Sequence, residues 1–174
     1  MENCEIIQDN ELTDRKNLKS ANAKSSLDKR KSLQREFWTQ LLTRSKNKTR
    51  LFENRSPGNE KHIGIGVGRS GLSYLYVVVS DRARVELYIS REDVNWNKSV
   101  FDFLFDNRDE IEGRLGEKVE WDRLDDKQGS YIRYWVSGLG LKDKEKWPEI
   151  QDQLIDAMIK FEEAFRPYIK QIDR

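Results

Sequence analysis

The stretch Gly64-Ile-Gly-Val-Gly-Arg-Ser-Gly71 holds the residue types in this chain that most directly suggest chemistry. Glycines at that density, with an arginine and a serine among them, are the raw material of loops that cradle phosphates. Such loops work because a strand ends in the glycine turn and a helix begins there, aiming its first N–H groups at the anion. Here the turn is followed by Leu72-Ser-Tyr-Leu-Tyr-Val-Val-Val79, a strand by composition and length. The Lys-Ser/Thr pair that closes the Walker pattern is also missing. Alternation gives a plainer account, because Gly64, Gly66 and Gly68 share one face of a strand and Ile63, Ile65 and Val67 the other. The segment reads as the first strand and turn of a hairpin, with something bulky close against its bare glycine face.

Other reactive groupings are sparse. Leu72 stands where a Gly-x-Ser-x-Gly elbow around Ser70 needs its second glycine. His62, the single histidine, lies near the far end of the same strand, far beyond hydrogen-bond reach of Ser70 if the strand is extended. One histidine and one cysteine are too few for a zinc site. Glu86, Glu120, Asp122, Asp125 and Asp126 are the carboxylates that could hold magnesium. A restriction-endonuclease-type centre also needs Glu-x-Lys on a strand, yet Glu86-Leu-Tyr88 ends in tyrosine and Asp125-Asp-Lys127 falls in a turn. No catalytic residue, metal ligand or cofactor is therefore assigned. A magnesium-dependent nuclease using Glu86 with Asp122 or Asp125 stands as an alternative.

The elements that must position these groups follow from periodicity. Residues 1–30 are polar and lack an aromatic, so a disordered or transiently helical tail is expected. A single domain should occupy 31–174, beginning with an amphipathic helix over 32–46 that carries Leu33, Phe37, Trp38, Leu41 and Leu42. Strands are predicted over 61–67, 72–79 and 83–89, and a helix over 95–115 with Trp96, Val100, Phe103, Leu104, Ile111 and Leu115 inward. Strands over 118–124 and 131–137 precede a long apolar helix with Pro148 in its first turn. The order is α-βββ-α-ββ-α. Short links between consecutive strands predict an antiparallel sheet of about five strands with three helices, an α+β fold.

Alternation also assigns faces. Ala83, Val85, Leu87 and Ile89 point to the core and leave Arg84, Glu86 and Tyr88 opposite, while Ile132, Tyr134 and Val136 leave Tyr131, Arg133 and Trp135. With Tyr74 and Tyr76 these residues form the candidate binding face. Aromatic rings interspersed with guanidinium groups suit stacked bases and phosphates, and equally suit protein contacts. A competing reading places a helix over this face, with Arg84 and Glu86 paired beneath it.

The two charge signs nearly cancel, at 32 basic and 31 acidic residues, so no global field draws the chain to nucleic acid or membrane. A lone Cys4, acids at Glu2, Glu5, Asp9 and Glu11, and apolar runs too short to span a bilayer predict a cytoplasmic protein without a signal peptide. The motifs Arg35-Glu-Phe-Trp-Thr39, Asn54-Arg-Ser-Pro57, Gly68-Arg-Ser-Gly-Leu-Ser-Tyr74 and Ala83-Arg-Val-Glu-Leu-Tyr-Ile89 occur in that order. Glu120-Trp121, Arg123-Leu-Asp-Asp-Lys127, Ile132-Arg-Tyr134, Trp147-Pro-Glu-Ile150 and Phe165-Arg-Pro-Tyr168 follow. Over roughly 32–170 the chain resembles the bacterial and archaeal family called domain of unknown function 4268. That family has no established catalytic residues to carry over, and its domain often follows a restriction-endonuclease-like domain. The resemblance implies a non-catalytic accessory module in DNA metabolism or defence, binding nucleic acid or a nuclease-type protein partner. A protein-assembly or homo-oligomerisation role is the further alternative.

Overall fold

The computed structural model describes residues 3–173. Helix α1 (Asn3–Ser45) is followed by strands β1 (His62–Gly66), β2 (Leu72–Val78) and β3 (Ala83–Ile89). Helices α2 (Val94–Asp106) and α3 (Arg108–Leu115), strands β4 (Glu120–Asp122) and β5 (Ser130–Ser137), a 3₁₀ turn over Lys144–Lys146 and helix α4 (Trp147–Ile169) complete the order. The five strands form one antiparallel sheet in the order β1-β2-β3-β5-β4, as the short connections predict.

The helical segments are longer and more numerous than periodicity suggests. The helix expected over 32–46 is the C-terminal part of α1, and residues 3–30 continue it N-terminally, exposed from Ser20 to Arg30. No glycine or proline occurs before Pro57, so nothing in the backbone interrupts that run. The predicted 95–115 helix is two helices. It breaks at Asn107, whose side-chain amide donates to the Phe103 carbonyl while its backbone N–H donates to Leu104 O at 3.1 Å. An asparagine that offers the backbone a local alternative is a physical cause of the break.

The core lies between one sheet face and the helices. Tyr74 meets Phe161 of α4 edge-on at 6.1 Å, Trp121 touches Phe101 and Phe165, and Phe37 of α1 packs against Trp147 at 5.3 Å. Gln151 of α4 donates to the Phe37 carbonyl, and the Arg44 and Lys48 side chains of α1 pair with Asp152 and Asp156. Among the described residues no helix is long and apolar enough to cross a membrane.

The glycine-rich segment turns back on itself between β1 and β2. Val67 N–H donates to Leu72 O at 3.2 Å, with Gly68 and Gly71 at φ values of 79° and 81°. Those left-handed angles suit glycine and need no phosphate to explain them. The bulky group expected against the bare face is Leu75 of the paired strand: its Cδ2 lies 2.2 Å from where a Gly64 Cβ would sit. Arg69 turns away from the loop and donates to the carbonyls of Ile172 and Lys170, just beyond the end of α4.

Candidate binding surface

Pairing register decides which side chains share the second sheet face. Ser73 opposes Tyr88, Leu75 opposes Glu86 and Val77 opposes Arg84 between β2 and β3. Between β3 and β5, Tyr88 opposes Tyr131, Glu86 opposes Arg133 and Arg84 opposes Trp135. Glu120 and Asp122 of β4 join Arg133 and Tyr131 on this face. The aromatic contacts that join helix to sheet (Tyr74, Trp121) all lie on the other face. Trp135 is 36% exposed and Arg84, Tyr88, Tyr131 and Arg133 are half-buried, so this face reaches solvent around Trp135.

Two of the predicted face residues belong elsewhere. Tyr74 opposes Leu87 and Tyr76 opposes Val85, on the helix-covered face, where they are 3% and 0% exposed. The second strand is apolar on both sides, so alternation could not orient it, whereas pairing to β3 does. Burial pushes both phenols well above their ordinary pKa. Arg84, Glu86, Tyr88, Tyr131, Arg133 and Trp135 lie together as expected.

Their charges are matched within the patch. Glu86, 3% exposed, accepts from Arg84 Nε at 2.7 Å and lies 3.6 Å from Arg133 Nε. Arg133 Nη1 also donates to Glu120 Oε1 at 2.9 Å and to Asp122 Oδ2 at 2.5 Å. Trp135 Nε1 donates to the other Glu120 oxygen at 2.8 Å. That indole bond, ahead of Arg133, holds the Glu120 carboxyl below the usual carboxylate range. The Arg82 and Arg84 guanidinium groups both lie 4.7 Å from the Trp135 ring centre. Tyr88 and Tyr131 stack at 4.6 Å, and burial, then Tyr88, pushes the Tyr131 phenol up to about 12. Three arginines therefore balance three carboxylates. Glu86, Glu120 and Asp122 surround a guanidinium, which engages Glu86 Oε2, Glu120 Oε1 and Asp122 Oδ2. Among the described residues no three His, Cys, Asp or Glu side chains are grouped to hold a metal ion. Asp125 is turned to Arg123 instead.

The sequence model of the family described as domain of unknown function (DUF4268) matches residues 33–169, most of the chain. The chain belongs to that family. Searches of curated proteins and of solved structures found no match. The DUF4268 match covers all five strands and α2 to α4, while most of the N-terminal leg of α1 precedes it.

Within the DUF4268 domain, sequence reasoning missed the part that Glu120, Asp122 and Arg82 play in this face. A signal existed for the first two: they flank Trp121, whose core position fixes both of them on the opposite side of β4. Lys98 was missed altogether. It is 8% exposed, and its Nζ donates to the carbonyls of Arg123, Leu124 and Gly129 and to Ser130 Oγ at 2.7–3.1 Å. That clamp fixes the loop leading from β4 into β5, and so the placement of Tyr131 and Arg133 beside Glu86.

Proposed function

We infer that this domain is a non-catalytic accessory module that docks a protein, with the open face of its sheet as the contact surface. The observation carrying this reading is the internal balance of the patch: Arg84 and Arg133 are already paired with Glu86, Glu120 and Asp122, and Arg82 lies over the ring of an exposed Trp135. A phosphate approaching Arg133 would have to displace carboxylates and then sit among three like charges, which disfavours nucleic acid here. A protein surface can instead cover Trp135, Tyr88 and Tyr131, side-chain types that dominate interface energetics, with no new counter-ion required. The magnesium-dependent nuclease alternative draws no support from this geometry, because a guanidinium sits where the metal would. The family resemblance implies restriction-endonuclease-like neighbours, so a nuclease-type protein is the first partner to test, in DNA metabolism or defence.

The test is calorimetric titration with the restriction-endonuclease-like protein of the same cell, comparing the native chain with Trp135→Ala. Loss of a central exposed aromatic should weaken the complex about tenfold or more, the effect of a hot-spot truncation, while the melting temperature stays close to native. Equal affinity for both chains would contradict the reading.

A further inference from the structure

Outside the sheet face, many basic side chains have acidic partners: Arg44 with Asp152, Lys48 with Asp156, Lys118 with Glu112, Arg123 with Asp102 and Lys144 with Glu36. Arg30 and Lys31 on α1, Lys61 before β1 and Lys142 after β5 depart from that pattern. None of the four makes an ion pair or side-chain hydrogen bond among the described residues. They converge on one cavity of about 540 Å³ between α1 and the β1 end of the sheet. Glu60 is the single acid of its lining. Four cations against one acid leave +3 at the cavity, compared with +1 for the whole chain.

The walls carrying these cations are fixed. Gln34, 5% exposed, lies against Asn59 O and Lys61 N–H, and with its amide nitrogen assigned toward Asn59 it donates to that carbonyl at 2.8 Å and accepts from Lys61 N–H at 3.2 Å; Trp38 Nε1 donates to Glu60 O at 2.8 Å. On the opposite side Leu141 N–H bonds Val79 O at 2.8 Å and Lys142 N–H bonds Ser80 O at 3.0 Å. Further out on α1, exposed Lys29 and Lys24 add positive charge over about 10 Å of helix from Lys31 at 1.5 Å rise per residue, with exposed Asp28 between them.

We propose that this cleft holds the phosphate backbone of a nucleic acid without reading its sequence. Four cations gathered at one cavity against a single lining acid suit a ligand whose anions repeat at fixed spacing. Arg30 brings the planar fork that fits phosphate oxygens, and Asn59 and Ser80 bring neutral donors of the kind that also contact them. The lining contains no Phe, Tyr or Trp, and His62 is its one aromatic ring, so phosphate contacts rather than a stacking platform carry the binding. The cleft lies apart from the sheet face, and the two assignments fail independently.

The test is fluorescence anisotropy with a short labelled mixed-sequence duplex over a range of salt concentrations. The native chain should bind with a log–log salt slope of roughly −3 to −4, as expected for about four phosphate contacts. Lys61→Glu with Lys142→Glu should weaken binding about tenfold or more and roughly halve the slope. Lys46→Glu with Lys170→Glu makes the same charge change at exposed positions outside the cavity and should cost less than about twofold. Trp135→Ala should bind the duplex like the native chain. Lys61 and Lys142 are exposed, so the fold survives these changes, and the Lys61→Ala/Lys142→Ala pair should show the same ordering with a smaller loss. Absence of duplex binding at low salt would overturn the proposal, as would equal losses in the two charge-reversed pairs. Competition by poly-glutamate as strong as by DNA would overturn it in favour of an acidic protein chain.

Discussion

Lys98 is a buried ammonium held by oxygens that carry no formal charge. Its acceptors include Leu124 O, and Leu124 is the one non-glycine described residue at positive φ, 51°. Lys98→Met keeps the aliphatic stem but strands those acceptors, and should cost about 2–4 kcal/mol, read from the urea midpoint. A midpoint equal to native would show that the clamp is not needed. Tyr76 is the reverse case: its buried hydroxyl has no hydrogen-bond partner among the described residues. Tyr76→Phe should therefore leave stability unchanged or raise it by up to about 1 kcal/mol, and a clear loss would show that the hydroxyl is bound. At this scale the sequence was readable where polar and apolar residues alternate strictly. That alternation placed Arg84, Glu86 and Tyr88 of β3 and Tyr131, Arg133 and Trp135 of β5 on one face. It misplaced Tyr74 and Tyr76, because their strand is apolar on both sides and alternation there carries no orientation. It was silent for Lys98, because backbone carbonyls from a distant loop leave no side-chain pattern.

Among the elements, the hairpins were legible because turn residues and strand lengths are local properties. The strand order was not, since the insertion of β5 between β3 and β4 depends on contacts far apart in sequence. Glycine density misled on function for a related reason: position in the fold, rather than number, decides what each glycine does. Gly140 is the constrained one. A Cβ there would lie 2.3 Å from Val79 O and 2.5 Å from Arg82 N, both backbone atoms that cannot step aside. Gly140→Ala should cost about 1–3 kcal/mol by overpacking the β2–β3 turn. Gly66 is exposed, and a Cβ there would meet nothing nearer than Leu72 O at 4.0 Å. Gly66→Ala should be neutral, or stabilising by up to about 1 kcal/mol through the unfolded chain. Thermal melts of the two variants should separate in that order, and the opposite order would refute this account of the turns.

For the molecule as a whole, the near-zero net charge conceals a division of labour. Charges on the open sheet face cancel one another, those along the α1–α4 seam pair across it, and an unmatched positive group remains at the cleft. Acid should undo the paired groups. Burial alone would raise the pKa of Glu112, but hydrogen bonds from Lys118, Trp121 and the Val119 N–H outweigh it and leave the carboxyl below its ordinary 4.5. Asp102 and Asp152 are lowered too, by Arg123 and Arg44 respectively. A depressed folded pKa means that the unfolded chain takes up protons first. The stability from these groups is thus complete above about 4.5 and is lost as pH falls below it. Urea midpoints should be flat from neutral pH down to that range and then decline, with a shallower decline in Glu112→Gln. A decline that begins near neutral pH would point to other groups.

The central claim is that the open sheet face receives a protein. Hydroxyl-radical footprinting of the chain, alone and saturated with the proposed nuclease-type protein, reads the relevant side chains directly. Trp135 and Tyr131 should lose most of their reactivity in the complex, buried Trp38 and Trp147 should stay unreactive in both states, and Leu27 at the cleft should be unchanged. Oxidation of Trp135 at the same rate in the saturated complex would contradict the account.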